Sequence, residues 1–495
     1  MRVVVIGAGL GGLAAAANLV RRGHDVTVLE RELVPGGRAG VFAEAGFHID
    51  TGPTMITMPD LLRTTFAAAG AHIERYLVIE PLDPMYRATF ADGSVLHARH
   101  DRDQMVAEIR DFAGARDAAA FGEFCAWLDE IYAIFSPSFV HANYDKTLHV
   151  GRNLLPIAQM LRKGGFKRLD TKLASFFADE RLQRVFSFQS LQAGLAPQDA
   201  LAMFALRTHM DSIGGVFTAR GGMHAVATAL ARAIADAGAT IRYETPVTRI
   251  LRGGDNAVTG VEIGGSVRIA ADAVVCNADL PVAYRTLLGG VDAPRVARRG
   301  KYAPSCLLWV AGVRGEPPAD ATMHNLHFGD QWEDAFKAVI KRGVRMSDPT
   351  MLVTMQSAGD PVAAPAGCAT VHALEPVPNL DGRVNWARDG TRLADDLRRR
   401  VGQLGYPTDV VVERIFDPLD WEAMGLERGT PWSLSHTVLQ SGPFRPSNVD
   451  RRVPGLIFAG ACTVPGSGVP FVLISGRLAA QRVEAYARET SIVRW

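Results

Sequence analysis

The sequence has almost no net charge and no cysteine pattern. Its 53 lysines and arginines are balanced by 52 aspartates and glutamates over 495 residues. That balance gives no basis for a nucleic-acid partner or a polyanionic substrate. The five cysteines are scattered and never spaced as Cys-x-x-Cys, so neither a disulfide framework nor a metal site is expected. A reducing cytoplasm fits this cysteine usage best.

Long uncharged runs are also scarce, and the two that occur are broken. Residues 3–20 are rich in alanine like a secretory signal, but their glycines have the spacing of a phosphate-binding turn, and a glycine stop follows at Gly23. Residues 453–476 contain three prolines and five glycines, which would break a spanning helix. We therefore expect no transmembrane helix.

The N-terminal residues predict a strand, a glycine turn, a helix and a second strand. Residues 2–6 are a β-branched run typical of a buried parallel strand, and residues 25–29 supply the next strand. The Gly-x-Gly-x-x-Gly spacing between them allows a tight turn, a close approach to pyrophosphate and close helix packing. Glu30 ends the second strand, where a carboxylate can accept both ribose hydroxyls of an adenosine. This order predicts a Rossmann-like unit that binds ADP. The glycines of the turn are Gly7, Gly9, Gly11 and Gly12.

The residues after Glu30 favour FAD over NAD. Arg31 follows directly, and residues 35–38 read Pro-Gly-Gly-Arg. Arg38 offers a second cation to the diphosphate, which is useful only if the cofactor extends beyond its ADP half. Solvated surface charge is the alternative reading of both arginines.

Three later segments are expected to return to the same sheet. Residues 224–237 predict a helix closed by glycine, followed by a strand at 240–243. Broken alternation in residues 258–269 predicts a small β-meander. Residues 273–275 predict a further strand, which leads into residues 276–279 near the cofactor. Residues 455–486 read as a strand, a glycine and proline turn, and a helix whose N-terminus would stabilise negative charge on a flavin pyrimidine. A tight structural turn is the alternative for that last segment.

These motifs together resemble the bacterial phytoene desaturases, FAD-dependent carotenoid dehydrogenases of the amine-oxidase-like flavoproteins. The likeness covers nearly the whole chain, with residues 50–59, 215–223 and 460–470 adding to the N-terminal motifs. Departures from the family pattern at Val464, Ser467 and Phe471 bear on substrate choice more than on FAD binding. The resemblance implies that FAD is bound by Gly7, Gly9, Gly11, Gly12, Glu30, Arg31, Gly37, Arg38, Pro53, Thr54, Val247, Gly460, Ala461, Val469 and Pro470.

An α/β fold in three parts is expected. A discontinuous Rossmann-like FAD-binding domain would comprise residues 1–65, 222–289 and 449–495. A mixed β-sheet substrate domain would comprise residues 66–103 and 290–448, and residues 104–221 would form a helical, membrane-associating subdomain.

Residues 146–172 carry seven basic residues against one acid, interleaved with leucine and other apolar side chains. A basic amphipathic segment can lie in an anionic membrane surface. A solvated helix with an ordinary core face is the alternative. Because the resemblance implies a bilayer-dissolved substrate, we expect a cytoplasmic protein bound peripherally to the inner face of the cell membrane. Its oligomeric state is left open.

The chemistry implied by the resemblance is desaturation of a C40 isoprenoid hydrocarbon such as phytoene. A hydride would pass to flavin N5, and a proton would leave the resulting allylic cation. Such a substrate offers no charge, so a long apolar channel should recognise it.

No catalytic base is identified from the sequence, and no spacing indicates a Ser-His-Asp triad. His436, Glu422 and Arg445 lie in family-like segments and are interpreted as structural or surface residues. Two alternatives remain open. One is a related enzyme acting on a later carotenoid, namely a ketolase, a later-step desaturase or a saturase. The other is a non-catalytic isoprenoid escort protein.

Overall fold

The computed structural model describes residues 1–144 and 153–493, with side chains described to residue 490. At its centre lies a five-stranded parallel sheet, named here the nucleotide sheet. The β-branched run of its first strand is buried at Val3, Val4 and Val5, because both faces of the sheet are covered. In spatial order its strands are Leu456–Phe458, Ala273–Cys276, Arg2–Ile6, Asp25–Leu29 and Thr240–Arg242.

Three helices cover one face of the nucleotide sheet: Leu10–Val20, Gly222–Asp236 and Val469–Val493. The first and last cross closely, since a Cβ on Gly476 would lie 2.4 Å from the carbonyl oxygen of Gly11. The last helix continues past residue 486, where the sequence reading ended it. The opposite face carries the predicted antiparallel meander, formed by Val247–Arg252, Val258–Ile263 and Val267–Ala270.

A second, seven-stranded sheet, named here the large sheet, builds the predicted substrate domain. It is antiparallel apart from one parallel pair, His324–His327 with Tyr86–Thr89. The helix Trp386–Gln403 packs Leu397 and Val401 into the core of this sheet. In spatial order the strands are Asp409–Phe416, Ser305–Arg314, Cys368–Val377, Met351–Thr354, His324–His327, Tyr86–Thr89 and Val95–Ala98.

The helical region packs against both sheets through an aromatic core. Phe124, Phe177 and Phe186 contact one another, with ring centroids 5.0–5.2 Å apart. The same core includes Phe328 of the sheet domain and Leu478 of the last helix, so this region is not an independent unit. Its helices are Arg102–Ala113, Ala115–Phe135, Leu154–Arg162, Leu169–Ala174, Glu180–Val185 and Leu206–Ser212. None of the helices in the described ranges is long and apolar enough to span a bilayer.

The residues on either side of the predicted boundary at residue 65 share one core. Residue 65 lies inside the helix Pro59–Ala68, and Phe66, Ile73 and Leu77 belong to the core under the nucleotide sheet. The chain leaves that core through the strand Ile79–Pro81.

A buried carboxylate joins two of the flavin-domain segments. Asp50 accepts hydrogen bonds from the backbone N–H groups of Met223 at 2.7 Å and His224 at 3.1 Å, at the start of the helix Gly222–Asp236. A third donor is Gln356 Nε2, at 2.8 Å. An anion at this position pairs orphan N–H groups and is stabilised by the helix dipole.

We expect Asp50→Ala to lower the apparent free energy of unfolding by about 2–3 kcal/mol, because it leaves buried donors unpaired. Urea unfolding measures the change. The matched control is Asp60→Ala, which removes a 91% exposed carboxylate at the start of another helix and should change stability by less than about 1 kcal/mol. Equal losses in the two variants would contradict the role given to Asp50.

Candidate functional site

A cavity of about 1110 Å³ extends from the nucleotide sheet to the large sheet. It collects the residues expected to hold FAD from segments more than four hundred residues apart in sequence. Only Gly12 of that set lies off its wall. The lining residues from the set are Gly7, Gly9, Gly11, Glu30, Arg31, Gly37, Arg38, Pro53, Thr54, Val247, Gly460, Ala461, Val469 and Pro470.

The helix Leu10–Val20 starts at the cavity wall with no side-chain cap and no acid in its first turn. Its first backbone N–H groups are therefore available to a phosphate. Gly7, with φ of 93°, makes the turn in the left-handed region. A Cβ on Gly12 would lie 2.1 Å from the carbonyl oxygen of Gly7, so Gly12 serves packing, as the sequence predicts. The arrangement fits a pyrophosphate.

Asn277 lies in the segment that is expected near the cofactor, although the sequence assigns it no role of its own. A Cβ on Gly9 would lie 2.7 Å from Asn277 Nδ2, and one on Gly11 would lie 2.6 Å from Oδ1. A Cβ on Gly460 would lie 3.0 Å from Asn277 Oδ1. The Asn277 side chain therefore fills the space between the glycine turn and Gly460. These glycines make room for Asn277 as well as for a phosphate. Asn277 directly follows the strand Ala273–Cys276, which lies beside Arg2–Ile6 in the sheet. A polar residue at the carboxyl end of such a strand is the signal that indicates a place near the ligand.

The Glu30 carboxylate is fixed at the cavity wall. Oε2 accepts the N–H of Ala8 at 2.6 Å, and Oε1 accepts the N–H of Glu32 at 3.0 Å. The residue is 6% exposed. Each oxygen keeps a further lone pair for a ribose hydroxyl, so the geometry fits the adenosine half of FAD.

The two arginines after Glu30 differ in their surroundings. Arg31 is half exposed and donates to Glu32 Oε1 at 2.9 Å and to the carbonyl of Met424 at 2.7 Å. Arg38 lies 3.6 Å from the buried carboxylate of Asp279, which also lines the cavity. Asp279 lies in the same expected segment as Asn277, and the sequence assigns it no role of its own either. Arg38 is thus held at the wall by an ion pair, whereas Arg31 bridges surface groups at the cavity edge.

Two sources of positive potential, Arg207 and the N-terminus of the helix Val469–Val493, lie together at the cavity wall. The helix Val469–Val493 begins at the cavity with no acid in its first turn. Arg207 donates to the carbonyl of Ser467 at 2.8 Å and lies 5.0 Å from the ring centroid of Phe471. Burial lowers the pKa of Arg207 to about 10, so the group stays charged at neutral pH. The helix terminus and the guanidinium together favour negative charge at this place.

The three residues interpreted as structural lie away from the cavity. Arg445 is buried and donates to the carbonyls of Ala461 at 2.6 Å and Thr463 at 3.0 Å, which holds the C-terminal turn. His436 is buried, and Glu422 is exposed. None of the three is among the described residues that line the cavity. Of the departures from the family pattern, Ser467 and Phe471 line it.

Beyond the flavin residues the wall becomes mainly apolar. The polar exceptions include Gln189, Gln192, Asp211 and His372. An apolar wall with few polar groups fits a long hydrocarbon, as the sequence reading expected. The apolar residues here include Met210, Leu326, Trp332, Phe336, Met346 and Leu352.

Comparison with known proteins places the chain in a family. Residues 10–484 match the flavin containing amine oxidoreductases. The chain is 44% identical to the phytoene dehydrogenase of Streptomyces griseus, over 97% of this chain and 94% of the relative. It is 34% identical to the zeta-carotene-forming phytoene desaturase of Myxococcus xanthus, over 99% and 95%. The crystal structure of an oxidoreductase from Methanosarcina mazei has a TM-score of 0.63 at 18% identity, covering 97% of this chain and 100% of that one, which shows a shared fold. The chain therefore belongs to the flavin-containing amine oxidoreductases, in the group of the phytoene dehydrogenases and desaturases.

Proposed function

We propose that this protein desaturates a C40 isoprenoid hydrocarbon of the phytoene type, with FAD as its cofactor. The observation that carries the proposal is the continuous cavity, in which an ADP-type cradle opens into an apolar channel. The phytoene dehydrogenase and desaturase relatives support the same substrate class. When bound, FAD supplies the hydride acceptor.

The protein's own residues bind and orient the reactants. The Leu10–Val20 helix terminus and Glu30 hold the ADP part. Arg207 and the start of the helix Val469–Val493 stabilise the negative charge that collects on reduction. The apolar walls align the hydrocarbon and exclude water.

The test is to incubate the FAD-loaded protein with phytoene in liposomes and to separate the products by chromatography. Loss of phytoene and appearance of coloured carotenes is the expected result. Turnover of a coloured carotene without loss of phytoene would favour the later-step enzyme. A protein that takes up no flavin on reconstitution and does not turn over phytoene would favour the escort protein.

Peripheral binding to an anionic membrane is part of the same proposal. On the helix Leu154–Arg162, Met160 is buried while Leu154, Leu155 and Leu161 are each about two-thirds exposed. Clustered exposed leucines on one helix face mark an interaction surface. The exposed leucines support insertion of this helix into the headgroup region of a membrane.

Within the described residues, some basic side chains of this segment contact an acid or an aromatic ring and others are exposed. Lys163 lies 2.7 Å from Glu130, and Lys172 lies 4.4 Å from the ring centroid of Phe176. Lys146 and Arg152, also in the predicted basic segment, lie outside the described residues. The exposed cations suited to a lipid headgroup are Arg162, Lys167 and Arg168.

We expect replacement of Leu154, Leu155 and Leu161 by serine to weaken binding to phosphatidylglycerol vesicles by at least about 100-fold, because each buried leucine contributes about 1.5–3 kcal/mol. Changing Arg162, Lys167 and Arg168 to glutamine should weaken binding to anionic vesicles at low salt. Binding to neutral vesicles should not change. Vesicle co-sedimentation measures both effects, and FAD content should stay unchanged.

The matched control is a single variant of the meander with three substitutions at exposed positions. They are Val267→Ser, Arg249→Gln and Arg268→Gln. This variant should bind vesicles like the wild type. Unchanged binding by the leucine variant would remove the helix Leu154–Arg162 as the membrane contact.

A further inference from the structure

The helix Leu206–Ser212 presents three residues to the cavity. Arg207, Met210 and Asp211 all line it, as expected for positions i, i+3 and i+4 of one helical face. Arg207 bonds to Ser467, which immediately precedes the turn into the helix at Val469. Asp211 lies one helical turn after Arg207, which places their Cβ atoms about 5–6 Å apart on the same face.

Asp211 is a buried carboxylate in a wall that is otherwise mainly apolar. It is 8% exposed. Its Oδ1 accepts from the backbone N–H of Ser212 at 2.6 Å and from Ser212 Oγ at 3.0 Å, and its Oδ2 accepts from Gln189 Nε2. Gln189 also lines the cavity, and its Oε1 has no hydrogen-bond partner among the residues described. A channel that only held a hydrocarbon would gain nothing from burying these groups.

We propose that Asp211 accepts the proton released in each desaturation step and that Gln189 positions its carboxylate. This inference rests on the proposed function. The first C–H bond breaks with its electron pair leaving as hydride to the flavin, which is reduced as the hydrocarbon is oxidised. The C–H bond on the adjacent carbon then breaks, its electron pair forms the new C=C bond, and its proton forms an O–H bond with Asp211.

The electrostatic setting suits both parts of this role. Burial raises the pKa of Asp211 to about 7 while hydrogen bonds from Gln189 and Ser212 oppose the shift, so the base form prevails above that pH. Among the described residues, Tyr86 on the large sheet interacts electrostatically with Asp211, and Arg207 lies one turn earlier on the same helix. Burial raises the pKa of Tyr86, and the charge on Asp211 adds to that rise. In a channel of low polarity the carboxylate also stabilises an allylic cation.

A pair of matched ligands tests the proposal without turnover. Digeranylgeranyl amine carries a protonated nitrogen at the middle of a C40 chain, and digeranylgeranyl ether is its neutral counterpart. We expect the FAD-loaded wild type to retain the amine at least about tenfold more tightly than the ether at pH 8, measured with labelled ligands by gel filtration. The preference should fall below a pH of about 7, as the carboxylate is protonated.

Asp211→Asn should bind both ligands equally, whereas Asp211→Glu should keep the preference for the amine. Asp50→Asn, which changes a buried carboxylate outside the cavity, should keep it too. In turnover, Asp211→Asn should lower kcat by about 100-fold or more with little change in KM. An unchanged amine preference in Asp211→Asn would overturn the role of Asp211. A wild type that binds neither ligand would instead overturn the C40 substrate, and the proposal with it.

Discussion

Glu30→Ala is expected to yield a protein that loses FAD on gel filtration. The carboxylate is held by the N–H groups of Ala8 and Glu32, at the point where the adenosine ribose would lie. Two charge-assisted hydrogen bonds to the ribose contribute about 1.5–3 kcal/mol each. The dissociation constant for FAD should therefore rise by about 100-fold to 10,000-fold. Titration of the apoprotein with FAD, followed by flavin fluorescence, measures it.

Glu74→Ala is the matched control for this variant. Its side chain is 68% exposed, pairs with Arg63 at 3.4 Å and is not among the described residues that line the cavity. Removing it takes away the same charge at the surface and should change FAD affinity by less than about threefold. Comparable losses in both variants would mean that net charge, and not the position of Glu30, governs binding.

Gly12→Ala is expected to disrupt the cofactor cradle itself. The added Cβ would lie 2.1 Å from the carbonyl oxygen of Gly7, and a backbone atom in a tight turn cannot rotate away as a side chain can. Relieving the overlap must move the helix Leu10–Val20 away from the turn. Overpacking of this kind costs about 1–3 kcal/mol, and the phosphate-binding N–H groups move with the helix. We expect FAD affinity to fall by about 100-fold or more.

Gly122→Ala separates this effect from a general effect of alanine. Gly122 lies inside the helix Ala115–Phe135, and a Cβ there would have no heavy atom within 4 Å. Alanine should stabilise that helix by about 0.5–1 kcal/mol and leave FAD binding unchanged. Thermal unfolding and FAD titration of both variants give the comparison. Retention of wild-type FAD affinity by Gly12→Ala would refute the packing role.

The sequence predicted the nucleotide-binding unit closely because its signals are local. The strands Arg2–Ile6 and Asp25–Leu29 have the predicted bounds, since a β-branched run and the glycine turn fix them without help from distant residues. The C-terminal helix was underestimated, because it lacks a stop signal near Tyr486 and continues to Val493.

The unpredicted site residues depend on contacts between distant segments. Arg207 reaches Ser467 across 260 residues of sequence. Asn277 reaches Gly9 and Gly11 only because their strands are neighbours in the sheet. Asp211 lies on a seven-residue helix that carries no motif. Residue type and spacing could not distinguish these side chains from ordinary polar residues. They are site residues because the fold brings them to the wall of one cavity.

The central claim is that one cavity brings FAD and a C40 hydrocarbon together for hydride transfer. The most direct measurement is to mix FAD-loaded protein with phytoene in vesicles without oxygen and to follow flavin absorbance and hydrocarbon products together. We expect bleaching of the flavin, with one new double bond in the hydrocarbon for each flavin reduced. Flavin that stays oxidised, or bleaching without a change in the hydrocarbon, would contradict it.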